Sequence, residues 1–317
     1  MPEAIDSKST IMKHGRRRLD LFLVLTCLAS VAAVVTLLWI IFSIIVPAFP
    51  AIQKTGFGFF TNAIWDANRQ RFGALPFLIG TAVTSLLALC ISLPLGVFIA
   101  LFLSENFLPP SVRQSIRFVV ELLAAIPSVV YGLWGIAVVV PLVQALGQGL
   151  SKSLGFLAIF QGPAFGNSTL TASLVLALMV LPTITAISRS ALVAVPKTLR
   201  EGSYAIGATR WETIFQVLLP TAAPGIVAAT ILAFGRAMGE TMAVAMLIGN
   251  SKRLTWSLLQ PGGTLAGLLA NEFPEAKDLQ ISALMYAALA LVLLTLIVNM
   301  AGEAVLRRAE KATAGIR

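Results

Sequence analysis

Two ionisable residues stand inside a long apolar run of this 317-residue chain: Arg236 and Glu240 in PGIVAATILAFGRAMGETMAVAMLIGN, residues 224–250. If the run is one helix, a spacing of four puts both side chains on one face. Arg236 lies twelve residues past Pro224, about 18 Å along an ideal helix and near the middle of a bilayer. A charge at that depth costs roughly 2.5 to 3.5 kcal/mol. An i,i+4 ion pair returns only about 0.2 to 0.5 kcal/mol in water, and Arg before Glu is the weaker order. Stability is therefore a poor motive for the pair, and a pathway or a partner subunit is a better one. A guanidinium offers planar paired donors that match an oxyanion, while a carboxylate can orient the guanidinium or take a proton from a protonated anion. The competing reading is a purely structural ion pair. Gly235 and Gly239 beside the charges leave room for another helix to approach closely.

Other chemistry is sparse. The lone His14 sits in a basic N-terminal segment, where an imidazole is more often solvated than catalytic. Cys27 and Cys90 fall in apolar runs without a CxxC spacing, which argues against a disulfide framework or a metal site and for two small buried apolar residues. The phosphate-cradling pattern G-x-x-x-x-G-K-[ST] is missing, and no Gly-Lys pair occurs at all. The chain is expected to be no enzyme, with no cofactor of its own.

The elements that must position these residues follow from composition. Hydrophobic residues make up 57% of the chain and charged residues 12%, too little polar surface for a water-soluble domain of this size. Apolar stretches of bilayer length occur at 21–46, 73–104, 122–141, 170–187, 224–250 and 281–301. The expected fold class is all-α, a polytopic transmembrane helical bundle of about six spans. Prolines fall inside three of the spans (Pro76 and Pro94, Pro127, Pro182) and suggest bends that serve packing or a cavity. The first connection, 47–72, carries Phe57, Phe59, Phe60 and Trp65 and reads as an interfacial element. The third, 142–169, is apolar but rich in Gly and is expected to fold back rather than span. No fixed-period repeat is visible.

The net charge of +9 is explained by topology. Five Lys and Arg precede the first span, two (Arg113, Arg117) follow the second, four (Arg189, Lys197, Arg200, Arg210) follow the fourth, and four lie in the tail. Seven lie on the opposite face, although its loops are longer. The positive-inside tendency then predicts cytoplasmic termini. No basic cluster is interleaved with stacking aromatics, so nucleic acid is not an expected partner. The expected organisation is a basic tail over 1–18, a transmembrane domain over 19–306 and a short C-terminal tail over 307–317.

The connection between spans four and five, residues 201–220, reads EGSYAIGATRWETIFQVLLP. Tyr204, Ala208, Trp211, Phe215 and Leu218 recur at helical spacing, and the reading is one amphipathic helix over 201–217, ended by Pro220 and Pro224. The stretch resembles the cytoplasmic signature of bacterial ABC importer permeases: Glu201, Gly202 and Ser203 stand where that family has Glu-Ala-Ala. Gly207 follows, and Val217, Leu219 and Pro220 close the motif. Gly202 and Ser203 depart from the two alanines but stay small. Together with GRAMGETMAVAMLIGN and the segment ELLAAIPSVVYGLWG at 121–135, the resemblance extends from about Gly73 onward and points to the phosphate-importer branch of that family.

The resemblance implies a type I ABC importer permease fold in a bacterial plasma (inner) membrane and transport of phosphate. It also implies a PstA-type second permease subunit, an ATP-binding subunit dimer that holds ATP and Mg, and an external phosphate-binding protein. Within the chain it implies coupling to the ATPase through Glu201, Gly207, Trp211, Leu219 and Pro220, and a substrate pathway through Arg236 and Glu240. Glu121 reads as a helix-start carboxylate. Sulfate, molybdate or phosphonate as cargo, and an ion-coupled carrier or channel, are the alternatives.

Overall fold

The computed structural model describes residues 4–105 and 107–314, with side chains described for 22–105 and 107–311. The basic residues 8–18 and His14 have side chains outside the described set; their backbone belongs to the first helix, α1 (Ala4–Thr55). Among the described residues, six helices are long and apolar enough to cross a membrane. The first of them, Phe22–Thr55, turns Leu28, Val31, Leu38 and other large apolar side chains outward over most of its length. An exposed apolar flank of this kind is what a helix solvated by lipid presents.

After α1, a one-turn helix α2 (Gly58–Thr61) and a two-stranded antiparallel hairpin, β1 (Trp65–Asp66) with β2 (Arg71–Phe72), lead into the second span. The aromatics of this connection do not all face the interface. Phe59 and Trp65 are buried, with Phe59 stacked on Tyr286 of the last span at 4.3 Å and Trp65 edge-on to Phe72. Only Phe57 is fully turned out. The segment is a plug in the aromatic core between the first and last spans rather than an interfacial strip.

The second span, α3 (Leu75–Ser104), packs along most of the fourth, α7 (Thr169–Val193), which is the most buried span of the bundle. Val175, Leu176, Met179, Val180 and Ile184 form the centre of the core. Gly96 lets α3 lie against Ile184: a Cβ there would stand 2.8 Å from that side chain. Some buried hydroxyls are satisfied within their own helix, Thr81 donating to Phe77 O at 2.7 Å and Ser85 to Thr81 O at 2.7 Å, whereas Thr84, Thr185 and Ser188 are buried without a hydrogen-bond partner. Cys27 and Cys90 are exposed on the flank of the bundle, not buried, since lipid does not penalise an apolar side chain for facing outward.

The third span differs from the sequence expectation at both ends. Helix α4 (Pro110–Ala125) is separate; Ile126 is extended, as the residue before Pro127 is pressed to be, and the span begins afresh with α5 (Ser128–Trp134). It passes through a π-helical turn at Gly135–Val139 and continues as α6 (Val140–Leu154). The glycines expected to break it beyond 142 include Gly147, which sits where a Cβ would lie 2.8 Å from the Ala164 side chain. That glycine is a packing contact, and the helix persists through it.

Span five also departs from a single rod. Between α7 and it lie α8 (Lys197–Ala205) and α9 (Arg210–Glu212); a π-helical stretch, Thr213–Leu218, then joins α9 to α10 (Leu219–Gly239) without interruption. Pro220 therefore does not end the element. A proline ring crowds the carbonyl four residues back, and the wider π turn immediately before it, with Leu219 N–H donating to Ile214 O, relieves that crowding. The helix ends instead at Gly239, Glu240 is extended, and a short α11 (Met242–Leu247) follows. The chain then returns through α12 (Leu265–Glu272) to the last span, α13 (Leu279–Ala314), which includes Arg307 and Arg308 in its helix.

Candidate functional site

The helices α7, α10 and α13 line an open cleft of about 920 Å³, with Thr183, Gly235, Arg236, Thr295, Asn299 and Glu303 among its walls. Its place in the bundle follows from helix register. Ala233 and Ala237 on α10 are buried against the core, so Arg236, one position before Ala237, is turned away from it into the cleft. Thr183 is fourteen residues into α7, about 21 Å along that helix and near the middle of its length. Gly235 lies where a Cβ would be 3.3 Å from Asn299 Oδ1, so α10 and α13 approach closely at the level of the arginine.

Arg236 Nη1 donates to Thr183 Oγ1 at 3.2 Å. Among the described residues no carboxylate lies within ion-pair distance of it. Glu240 does not join it: the helix stops at Gly239, the i,i+4 relation that would have paired them is lost, and Glu240 is absent from the cleft lining. The acid of the cleft lining, Glu303, is engaged by Arg307 at 2.7 Å. A guanidinium thus faces an intramembrane cleft held only by a neutral hydroxyl, with its remaining donors directed to the space. Thr183, Thr295 and Asn299 are polar residues of the cleft that sequence reasoning missed; each is an isolated neutral polar residue in an apolar run, a signal too common to single out.

The loop between spans four and five is a helical hairpin, not one helix over 201–217. Gly207 has φ +89°, a left-handed conformation that breaks the helix after Ala205 and that a side chain would resist. Thr209 then caps α9 reciprocally with Glu212, Thr209 N–H donating to Glu212 Oε2 at 2.7 Å and Glu212 N–H to Thr209 Oγ1 at 3.4 Å. Ser203 and Thr213 hydroxyls meet at 2.9 Å and clamp the two arms.

Of the residues expected to couple, Glu201 and Gly207 are exposed, Leu219 is half-buried, and Pro220 is exposed within α10. Trp211 is half-exposed and stacks on Phe107 at 5.5 Å, with the Arg210 guanidinium 5.2 Å from the same ring. Tyr204, Ile206 and Phe215 are also turned out, Ile206 with 86% of its surface exposed. The base of the hairpin is held by a residue the sequence did not mark. Arg200 Nη1 binds Glu105 Oε1 at the end of α3 at 2.7 Å, and its Nη2 donates to Leu192 O at 2.7 Å. The partners are 95 residues apart in sequence, so no local pattern could announce them.

A six-span bundle with a charged intramembrane cleft and a rigidly rooted external hairpin defines a multi-pass membrane transport subunit. Residues 92–313 match the family described as "Binding-protein-dependent transport system inner membrane component". The chain is 39% identical to the phosphate transport system permease protein PstC of Mesorhizobium japonicum over 95% of this chain and 90% of that one. It is 39% identical to PstC of Xylella fastidiosa over 97% and 98%, and 33% identical to a probable PstC of Methanocaldococcus jannaschii over 95% and 98%. Among solved structures it resembles the inward-facing MetNI methionine ABC transporter, with TM-score 0.54 and 22% identity over 75% of this chain and 94% of that one. A bacterial alginate ABC importer gives 0.53 and 16% over 74% and 79%; both establish the fold. The chain belongs to the binding-protein-dependent transport permeases, within the group of phosphate transport system permease proteins.

Proposed function

We propose that this chain is a membrane-spanning permease subunit of an ATP-driven phosphate importer, forming half of the translocation pathway. The observation that carries the reading is Arg236 facing a mid-bundle cleft with a threonine hydroxyl and, among the described residues, no carboxylate as partner. Burying an unneutralised guanidinium in lipid is costly, and an arriving oxyanion offsets that cost by accepting its paired donors. Glu240, at the break after α10, is then a hinge-end residue of the pathway rather than the counter-ion of Arg236. The names of the relatives support phosphate as the cargo.

In this reading the hairpin of α8 and α9 docks on a separate ATP-binding subunit dimer, which holds ATP and Mg, with Trp211, Ile206 and Tyr204 as its apolar contacts and Gly207 at the tip of the turn. Pro220 and Leu219, inside one continuous helix with Trp211, let a push on the hairpin travel directly into α10 and to Arg236. A PstA-type permease subunit completes the pathway, an external phosphate-binding protein delivers the substrate, and lipid covers the flank of α1. The basic ends of the chain face the cytoplasm of a bacterial inner membrane.

The test is radiolabelled phosphate uptake by the assembled transporter in proteoliposomes, with sulfate, molybdate and phosphonate as competitors. Uptake that needs ATP and the partner subunits, and that only phosphate and close analogues compete for, is the expected result. Flux through this chain alone without ATP would replace the reading with a carrier or channel.

A further inference from the structure

A second charged cavity lies away from the Arg236 cleft, at the end of the bundle that carries the hairpin. It has a volume of about 560 Å³ and is walled by the end of α3, the exposed helix α4 and the last turns of α7. Three guanidiniums line it, Arg113, Arg117 and Arg189, together with Gln114 and Glu121. Glu121 is engaged by Arg117 at 2.7 Å, and the cavity lining holds three guanidiniums and one carboxylate. Arg189 Nε is buried and has no hydrogen-bond partner. A buried donor left in this state costs free energy that a bound acceptor would recover. The arginines come from two elements 72 residues apart in sequence, Arg117 on α4 and Arg189 on α7, and only the packing of α4 on α7 brings them to one cavity.

We propose that this cavity is a binding site for a phosphoryl anion, with Arg189 as the principal donor, Arg113 and Gln114 beside it on the wall, and Glu121 limiting affinity by competing for Arg117. Converging guanidiniums recognise tetrahedral oxyanions by paired donors, and the size admits one phosphoryl group with its waters. Two sources carry this group: free inorganic phosphate and the head group of an anionic phospholipid. Phe118, Val119 and Leu122 of α4 are exposed beside the cavity, where acyl chains would lie if the source is lipid. The site does not depend on which substrate the Arg236 cleft carries.

The test uses the full-length chain carrying Arg236→Ala, so that the central cleft cannot supply the signal. One arm titrates radiolabelled inorganic phosphate by equilibrium dialysis; the other counts phosphatidylglycerol retained from mixed phosphatidylcholine nanodiscs by native mass spectrometry. Saturable binding in either arm is expected, and the arm that responds identifies the source. Arg113→Gln with Arg189→Gln should weaken it about ten-fold or more, and Glu121→Gln, which frees Arg117, should tighten it several-fold. Should the double arginine variant fail to fold, the Glu121→Gln result decides alone. No saturable binding of either probe, or binding that Glu121→Gln leaves unchanged, overturns the proposal.

Discussion

Arg200 and Arg236 are both arginines of the span-four-to-span-five region, and they are held in opposite ways. Arg200 is mostly buried at the root of the hairpin, paired with Glu105 and bonded to a backbone carbonyl. Arg236 faces open space in the membrane interior with a single neutral partner. The charge of the first is consumed by the structure, and removing it leaves a buried carboxylate behind. The charge of the second has no carboxylate partner among the described residues, and removing it takes away one hydrogen bond to a neutral hydroxyl. A charge paired with a carboxylate is an anchor; one held by a neutral hydroxyl alone is available to a ligand. The helix from Trp211 to Arg236 connects the two regions, so the anchor fixes the base of the element that carries the available charge.

The sharpest way to break this contrast is Arg236→Ala. Phosphate uptake by the assembled transporter should fall about 100-fold or more, the loss of two charge-assisted hydrogen bonds, while the thermal midpoint of the purified chain stays level or rises. A fall in midpoint without a fall in uptake would make Arg236 the structural residue. Next in size, Arg200→Ala should destabilise the chain by roughly 1 to 3 kcal/mol, less than a fully buried pair because both side chains keep some exposure. A double-mutant cycle with Glu105→Gln should return a coupling above about 0.5 kcal/mol; additive losses would show that the pair is not the anchor.

Gly207→Ala forces a side chain into a left-handed residue, at a cost of about 1 to 2 kcal/mol, and should reduce the ATPase stimulation of the assembled complex more than it reduces chain stability. Equal reductions would mean that the turn only supports folding. The smallest effect is expected from Thr183→Val, which removes the one hydroxyl orienting Arg236. It should raise the KM for phosphate several-fold with kcat little changed, and a change in kcat alone would place Thr183 outside the binding step.

Several parts of this arrangement were legible in the residues, for physical reasons that are local. Lipid demands apolar segments of fixed length, so hydropathy marked six spans, although the third runs over Ser128–Leu154 rather than 122–141. An arginine in such a segment announces itself by its cost, and in the structure Arg236 stands on the wall of the cleft. Others failed where a local rule met a long-range contact. Pro220 was read as a stop, but the π turn before it keeps the helix intact. Gly147 was read as a breaker, but Ala164 fills the space its missing side chain leaves. Phe59 was placed at the interface, but Tyr286, 227 residues further on, draws it inward.

By itself, then, the sequence determined that the chain is a membrane bundle, that six of its segments are long and apolar enough to cross, and which charges fall within those segments, because each of these is a property of twenty or so consecutive residues. Tertiary structure alone decided the pairing of Arg200 and the separation of Glu240 from Arg236. Helix termination at Gly239 separates Glu240 from Arg236, and the docking of α7 and its following loop against the end of α3 joins Arg200 to Glu105. Spacing states which side chains share a face only while the helix lasts; where it ends and what packs on it depend on residues far away in the chain.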